Sequence, residues 1–363
     1  MSVVLFLAIL AVLVFVHELG HFIFAKLFGI RVDEFAIGFP PKIWSMRRGE
    51  TLYSINLIPF GGFVKIFGEN PNEESLSGAG STRSFIRKPR PIQALVLIAG
   101  IAFNILFAWI LISASFMTGV PVSKDYAPNI PLSNAFIAVT DILPDSPAFD
   151  AGFEPGDKIT RVNSASEIFS DVSAEALRSF IARHGEEELI FSVSRGDHEI
   201  KIEARPKAGI IDGKNAIGFA LGEAGILKLS FGKAFLEGAR MTYIVTLDTA
   251  HGIYSFLKEA LFGRADLSSV TGPVGIAGMV GAAREFGFAY LLNFTAFISI
   301  NLAVINLIPF PALDGGRLFI VIIEAVIRRP LNYKYVNIAN AIGFGLLILL
   351  MILVSYQDIA KLL

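Results

Sequence analysis

Four stretches of this chain stay apolar long enough to cross a bilayer: residues 3–28, 92–118, 288–311 and 338–356. A spanning helix needs about 20 such residues, so the pattern predicts four transmembrane helices. The first is unusual. Val3 to Val16 carries no charge, yet His17-Glu18-Leu19-Gly20-His21 follows inside the same apolar run, with Lys26 the only later charge before Phe28. Lys26 sits near the helix end, where its long stem lets the ammonium reach water.

The intervals read differently. Residues 54–67 hold two short β-prone runs around Pro59-Phe60-Gly61-Gly62, which predicts a hairpin. It is too apolar for an aqueous loop and too short to span. Unpaired strand backbone cannot face lipid, so the hairpin is expected to re-enter the membrane beside the spans and line a cavity. Residues 69–82 read as a solvated loop. Residues 135–206 alternate apolar and polar positions with regular turns, predicting a soluble β-rich domain with a helix near 173–183. The 228–262 stretch carries apolar residues at helical spacing (Phe231, Phe235, Ala239, Tyr243), as amphipathic helices on a membrane face do. Thr271 to Gly278 reads as a flexible Gly/Pro lead-in to the third span.

Basic residues orient the spans. Arg83, Arg87, Lys88 and Arg90 precede the second, and Arg317, Arg328, Arg329 and Lys334 lie between the third and fourth. The positive-inside rule puts both intervals in the cytoplasm, and both termini and the 119–287 segment on the other side. Composition agrees with a membrane class: 53% hydrophobic residues, 17% charged, mean hydropathy +0.61. A net charge of −1 provides no field to recruit nucleic acid. Without cysteine, disulfides and thiolate ligands are excluded, and a metal would rest on His and carboxylate. No Lys or Arg precedes the first apolar run and no small-x-small site follows it, which disfavours a cleaved signal peptide.

His17 and His21 share a helix face at i, i+4 spacing, so both imidazoles can hold one divalent metal, with Glu18 beside them as general base. Ionisable groups inside a span cost roughly 2.5–3.5 kcal/mol each on insertion scales, and so imply function. A third ligand is needed. The third span ends Asn301-Leu-Ala-Val-Ile-Asn306-Leu-Ile-Pro309-Phe-Pro311-Ala-Leu313-Asp314-Gly315-Gly316. Two prolines break that helix, and Asp314 falls at a depth comparable to the His pair; its other reading is a cap for a helix over 315–328. Gly61, Gly62, Phe63, Val64 and Ile66 of the hairpin would supply an edge able to hold an extended peptide strand, and Asn306 and Asn301 are candidates to contact that strand or a developing oxyanion, with strand positioning the favoured role. Asn104 in the second span reads as structural glue between helices. His184, His198 and His251 read as incidental surface residues. A metal transporter would place His and Asp similarly but tends to repeat its sites, and a membrane scaffold leaves the His-Glu-His pattern unexplained.

Two resemblances follow. Ser146-Pro147-Ala148, Ala151-Gly152, Gly156-Asp157 and Ile159-Thr-Arg-Val162-Asn163 resemble the PDZ domains of bacterial proteases. His-Glu-x-x-His, the Gly-Gly hairpin, this domain and Asn-x-x-Pro-x-Pro-x-Leu-Asp-Gly together resemble the site-2 protease family, in its bacterial form. The resemblance implies a polytopic α-helical membrane protein with a membrane-re-entrant β-hairpin and an extracytoplasmic α/β PDZ domain. Its expected parts are an N-terminal membrane core (1–118), the PDZ domain (119–206), an extracytoplasmic amphipathic or PDZ C-terminal region (207–287) and a C-terminal membrane core (288–363). It further implies an intramembrane metalloprotease with one Zn2+ per chain, in the bacterial inner membrane, its site toward the cytoplasmic leaflet. The implied partners are lipid and single-span substrates such as anti-sigma factors or remnant signal peptides, with a cleaved substrate's C-terminus at the PDZ domain.

Overall fold

The computed structural model describes residues 2–69, 78, 80–124, 133–185, 187–196, 198–211, 214–264, 270–285 and 287–362. Most of the expected 69–82 loop, namely 70–77 and 79, lies outside them. Two compact units result, residues 1–114 with 235–363, and residues 115–234.

The first unit begins with helix α1 (Ser2–Leu27). Its end is set by Gly29 at φ +65°. The Gly29 N–H donates to Lys26 O and Ile30 N–H to Ala25 O at 2.8 Å, the pair of bonds that closes a helix on a left-handed residue. Strands β1 (Val32–Arg48) and β2 (Thr51–Ile66) follow, turning at Gly49-Glu50. This corrects the expected hairpin. Residues 54–66 are not two strands folded on Pro59–Gly62; they belong to β2, whose partner is 32–48.

The register then divides each strand in two. Trp44 to Arg48 pair with Ile55 to Thr51, and Glu34 to Ile37 pair with Lys65 to Gly62, both antiparallel. Glu34 to Ile37 also lie opposite Leu52 to Ile55, with both numbers rising along the chain. The Thr51 hydroxyl donates to Val32 O at 2.8 Å and Asn56 Nδ2 to Gly38 O at 2.9 Å across this second seam. Four strand segments thus form one small sheet, with 62–66 at its edge. Gly62 is obligatory there, because a Cβ would come 2.5 Å from Ala36 O.

Beyond the sheet runs helix α2 (Arg90–Thr118). It approaches α1 closely: a Cβ on Gly20 would lie 2.5 Å from Ala99 O. Small residues at such a crossing let two backbones meet. Ala25, Ile30, Val32, Phe35, Val64 and Val96 are buried in one core that joins α1, the sheet and α2. Phe35 packs on Phe15 and Phe22 with ring centroids 5.6 and 5.1 Å apart.

The second unit is a seven-stranded sheet among the described residues, in the order β3 (Val120–Ser123), β11 (Phe219–Leu227), β4 (Ser133–Ile142), β5 (Lys158–Asn163), β7 (Leu189–Arg195), β8 (His198–Ala204), with β6 (Ile168–Phe169) on β5. A short pair, β9 (Lys207–Ile211) and β10 (Lys214–Ala216), stands apart from that sheet. Helices α3 (Pro147–Asp150) and α4 (Ala174–Arg183) supply Ala148, Leu177 and Phe180 to its core. Ser173 caps α4 by accepting from Ala176 N–H, at the start the sequence predicts. The sheet passes the boundary expected at 206, since β11 sits between β3 and β4. Asp157, fully buried, accepts two bonds from Arg195 at 2.7 and 2.8 Å.

The chain returns through α5 (Phe231–Leu261), one long helix over the stretch expected as amphipathic helices. Helix α6 (Pro273–Glu285) follows where a flexible lead-in is expected. Its N-terminus is held by Asp358, which accepts from Gly272 and Gly275 N–H at 3.2 and 2.8 Å, an anion at a positive helix end. Helix α7 (Phe288–Leu307) ends four residues before the expected 311, ahead of Pro309 and Pro311. Helices α8 (Asp314–Ile327) and α9 (Tyr333–Leu362) complete the unit. Helices α1, α2, α7 and α9 have the length and hydropathy to cross a membrane.

Candidate metal centre

Helical spacing puts His17 and His21 on the face of α1 that meets α2, both 6% exposed. The turn between α7 and α8 brings Asp314 to them. Gly315 and Gly316 make that turn possible: a Cβ on the first would lie 2.3 Å from Leu307 O, and one on the second 2.2 Å from Phe310 O. Asp314 opens α8 but does not cap it. The N-cap is Leu313, and no side chain bonds the helix end there. The Asp314 carboxylate instead turns to the imidazoles, with Oδ2 2.9 Å from His17 Nε2 and 3.2 Å from His21 Nε2. The two Nε2 atoms are 3.1 Å apart, and the ligand atoms of all three residues lie within 4.8 Å of one another.

This donor set fits a divalent cation. A tetrahedron with bonds of about 2.0–2.1 Å separates its ligand atoms by about 3.3 Å, close to the 2.9–3.2 Å found here. Gly100 leaves the imidazoles room, since a Cβ there would come 2.4 Å from His21 Nε2 and 2.9 Å from His17 Cε1. The ring of His21 is oriented from behind: its Nδ1–H donates to Val96 O at 2.8 Å. A carbonyl can only accept, so this bond leaves the Nε2 lone pair directed at the cluster.

Glu18, the next residue along α1, points at the sheet. Its Oε2 accepts the Val64 N–H at 2.9 Å. That bond identifies the outward edge of the 62–66 segment, whose other side pairs with β1. Val64 and Ile66 turn their side chains into the core, 8% and 6% exposed, while Phe63 stacks on Phe39. Gly61 takes φ +95°. Asn301 donates to Phe297 O of its own helix at 2.8 Å, and Asn306 is half-buried in the last turn of α7.

Asn104 bonds across helices, as glue is expected to, and its neighbour on α1 is a residue of the metal cluster. Its Nδ2 lies 3.3 Å from His17 Nδ1. Val96, Gly100 and Asn104 are spaced i, i+4, i+8, one stripe of α2 laid against the His pair, and that spacing is the signal that could have found them. His184 is no solvated surface residue: it stacks on Phe180 and bonds that residue's carbonyl at 2.9 Å. His198 and His251 are exposed.

Residues 5–350 match the family model described as peptidase family M50. The chain is 31% identical over 444 residues to the zinc metalloprotease RasP of Oceanobacillus iheyensis, covering 99% of both chains. It is 29% identical over 442 residues to the regulator of sigma-W protease RasP of Bacillus subtilis, again 99% of both. The zinc metalloprotease RasP of Geobacillus kaustophilus matches at 28% over 435 residues, 99% of this chain and 98% of that one. With four apolar helices among its described residues this is a multi-pass membrane protein, and it belongs to peptidase family M50, as a zinc metalloprotease of the site-2 type.

Proposed function

We propose that His17, His21 and Asp314 hold one zinc ion, that Glu18 is the general base, and that the substrate is the membrane segment of a single-span protein. The convergence of two imidazole nitrogens and one carboxylate oxygen inside a helical membrane core carries this reading. Zinc held there supplies Lewis-acid activation of the scissile carbonyl and of water. Glu18, one residue from His17, accepts the proton of the attacking water and delivers one to the departing amine. Its present partner, Val64 N–H, places that carboxylate beside the sheet edge.

The edge serves the substrate. A spanning helix hides its carbonyls in i→i+4 bonds, so it must open before hydrolysis, and the opened backbone needs new partners in a place without water. Gly61, Gly62, Phe63, Val64 and Ile66 form the outer strand of the small sheet, which offers main-chain groups to an extended peptide whatever its side chains. Asn306 and Asn301 follow as substrate-positioning residues where α7 leads to Asp314. Ile37, Phe39, Ile43, Trp44, Ile55 and Leu57 are exposed on the sheet, as suits an element that re-enters lipid.

The basic residues before α2 and between α7 and α9 support a topology with those ends in the cytoplasm, both termini and residues 119–287 outside it, and the site toward the cytoplasmic leaflet. The outer sheet is read as one PDZ domain that takes the new C-terminus of a substrate already cut outside the membrane. A relative is named as a regulator of sigma-W, so membrane-bound regulators of sigma factors are the substrate class proposed first, with remnant signal peptides second. Purified protein in liposomes, mixed with a single-span substrate, tests this: mass spectrometry should place the cut within the spanning segment, and a zinc chelator should abolish it. A cut confined to extramembrane sequence would contradict it.

A further inference from the structure

Asn104 is fully buried, and its Oδ1 has no hydrogen-bond partner among the described residues. Its backbone is fixed, because Asn104 O accepts the Ser299 hydroxyl at 2.8 Å. Its amide therefore has one neighbour to satisfy, the Nδ1 of His17 at 3.3 Å. A buried amide oxygen without a partner is uncommon and asks for a cause.

The second ring nitrogen of His17 supplies it. His17 Nε2 faces Asp314 Oδ2 and His21 Nε2 inside the ligand cluster, at 2.9 and 3.1 Å, which leaves Nδ1 as the nitrogen that meets Asn104. An imidazole that ligates through Nε2 carries its single proton on Nδ1, so that nitrogen is a donor and needs an acceptor. The Asn104 amide offers one in its oxygen, because its two ends are nearly equal in size and the partner decides which of them faces the ring.

We propose that Asn104 is a positioning residue for His17, its amide oxygen holding the Nδ1 proton of the ligating ring. The Val96 carbonyl does the same for His21. The proposal rests on the reading of His17 as a zinc ligand.

Zinc dissociation constants, measured by chelator competition on the purified full-length chain, test it alongside melting temperatures. Asn104→Leu removes the acceptor and should weaken zinc about 10–100-fold, the usual effect of losing a group that orients a ligand. Asn104→Asp is an acceptor only and should bind zinc as tightly as the parent or more so. Ser299→Ala should lower the melting temperature and leave zinc affinity unchanged. Parental affinity in Asn104→Leu, or equal weakening in Asn104→Asp and Asn104→Leu, would overturn the proposal. Should Asn104→Leu not fold, Asn104→Ala takes its place in the same comparison with Asn104→Asp. Parental zinc affinity in His17→Ala would remove His17 from the ligand set, and so defeat the underlying reading separately.

Discussion

At the scale of single residues, glycines decide whether the site can close. Gly100 faces the imidazoles, and a methyl group there would overlap His21 Nε2 at 2.4 Å. The ring cannot retreat freely, since Val96 O holds its other nitrogen. Gly100→Ala should therefore lower zinc occupancy strongly and abolish cleavage while the chain still inserts; full metal content would show that the rings shift at little cost. Here the sequence is partly explicit. The i, i+4 spacing puts His17 and His21 on one face, and the broken end of the third span suggests Asp314, which lies 2.9 Å from His17 in the fold. It does not announce Asn104, because a buried Asn in a span serves equally well as glue between helices.

At the scale of elements, the small sheet is where reading the sequence falls short. Residues 32–48 carry Pro40, Pro41, Lys42, Arg47 and Arg48, a composition that resembles a basic loop more than a strand. Their pairing depends on long-range partners: Glu34 meets Lys42 at 2.8 Å and the Ser54 hydroxyl at 2.6 Å. Local pattern carries no trace of that. The edge yields a prediction. Val64→Pro deletes the N–H that faces Glu18 and should reduce cleavage by at least about tenfold. Val64→Ala keeps the N–H and should cost mainly stability, about 1–2 kcal/mol for a buried Val. Equal loss of activity per loss of melting temperature in both would mean that packing, not the edge, is what matters.

The turn between β1 and β2 gives a second test. Arg83 and Lys26 hold the Glu50 carboxyl down to about 2 from its ordinary 4.5. A depressed carboxylate stabilises the fold above its unfolded pKa, and that contribution fades as pH falls from about 4.5 toward 2. Glu50→Gln should flatten the melting-temperature profile over that window, and an unchanged profile would show the bonds to Arg83 and Lys26 to be energetically idle.

For the whole molecule, hydropathy conveys most of the plan. The sequence predicts four spans and four helices qualify among the described residues, with ends within a few residues except at the fourth, which runs Tyr333–Leu362 rather than 338–356. Domain limits were less legible, because β11 joins its sheet from beyond a stretch of weak pattern. Helix α6 is not legible in the local pattern, since the group that holds its start, Asp358, is distant in sequence. Orientation rests on charge alone, and reporter fusions should read as cytoplasmic at residue 78 and exported at residue 196.

The central claim is that the two histidines and Asp314 hold zinc while Glu18 does chemistry only. Zinc per chain, measured by elemental analysis on purified protein and its variants, addresses it most directly. About one zinc is expected in the parent and in Glu18→Gln, which should no longer cleave, and well under half of one in His17→Ala, His21→Ala and Asp314→Ala. Full zinc in Asp314→Ala, or loss of zinc in Glu18→Gln, would contradict the account.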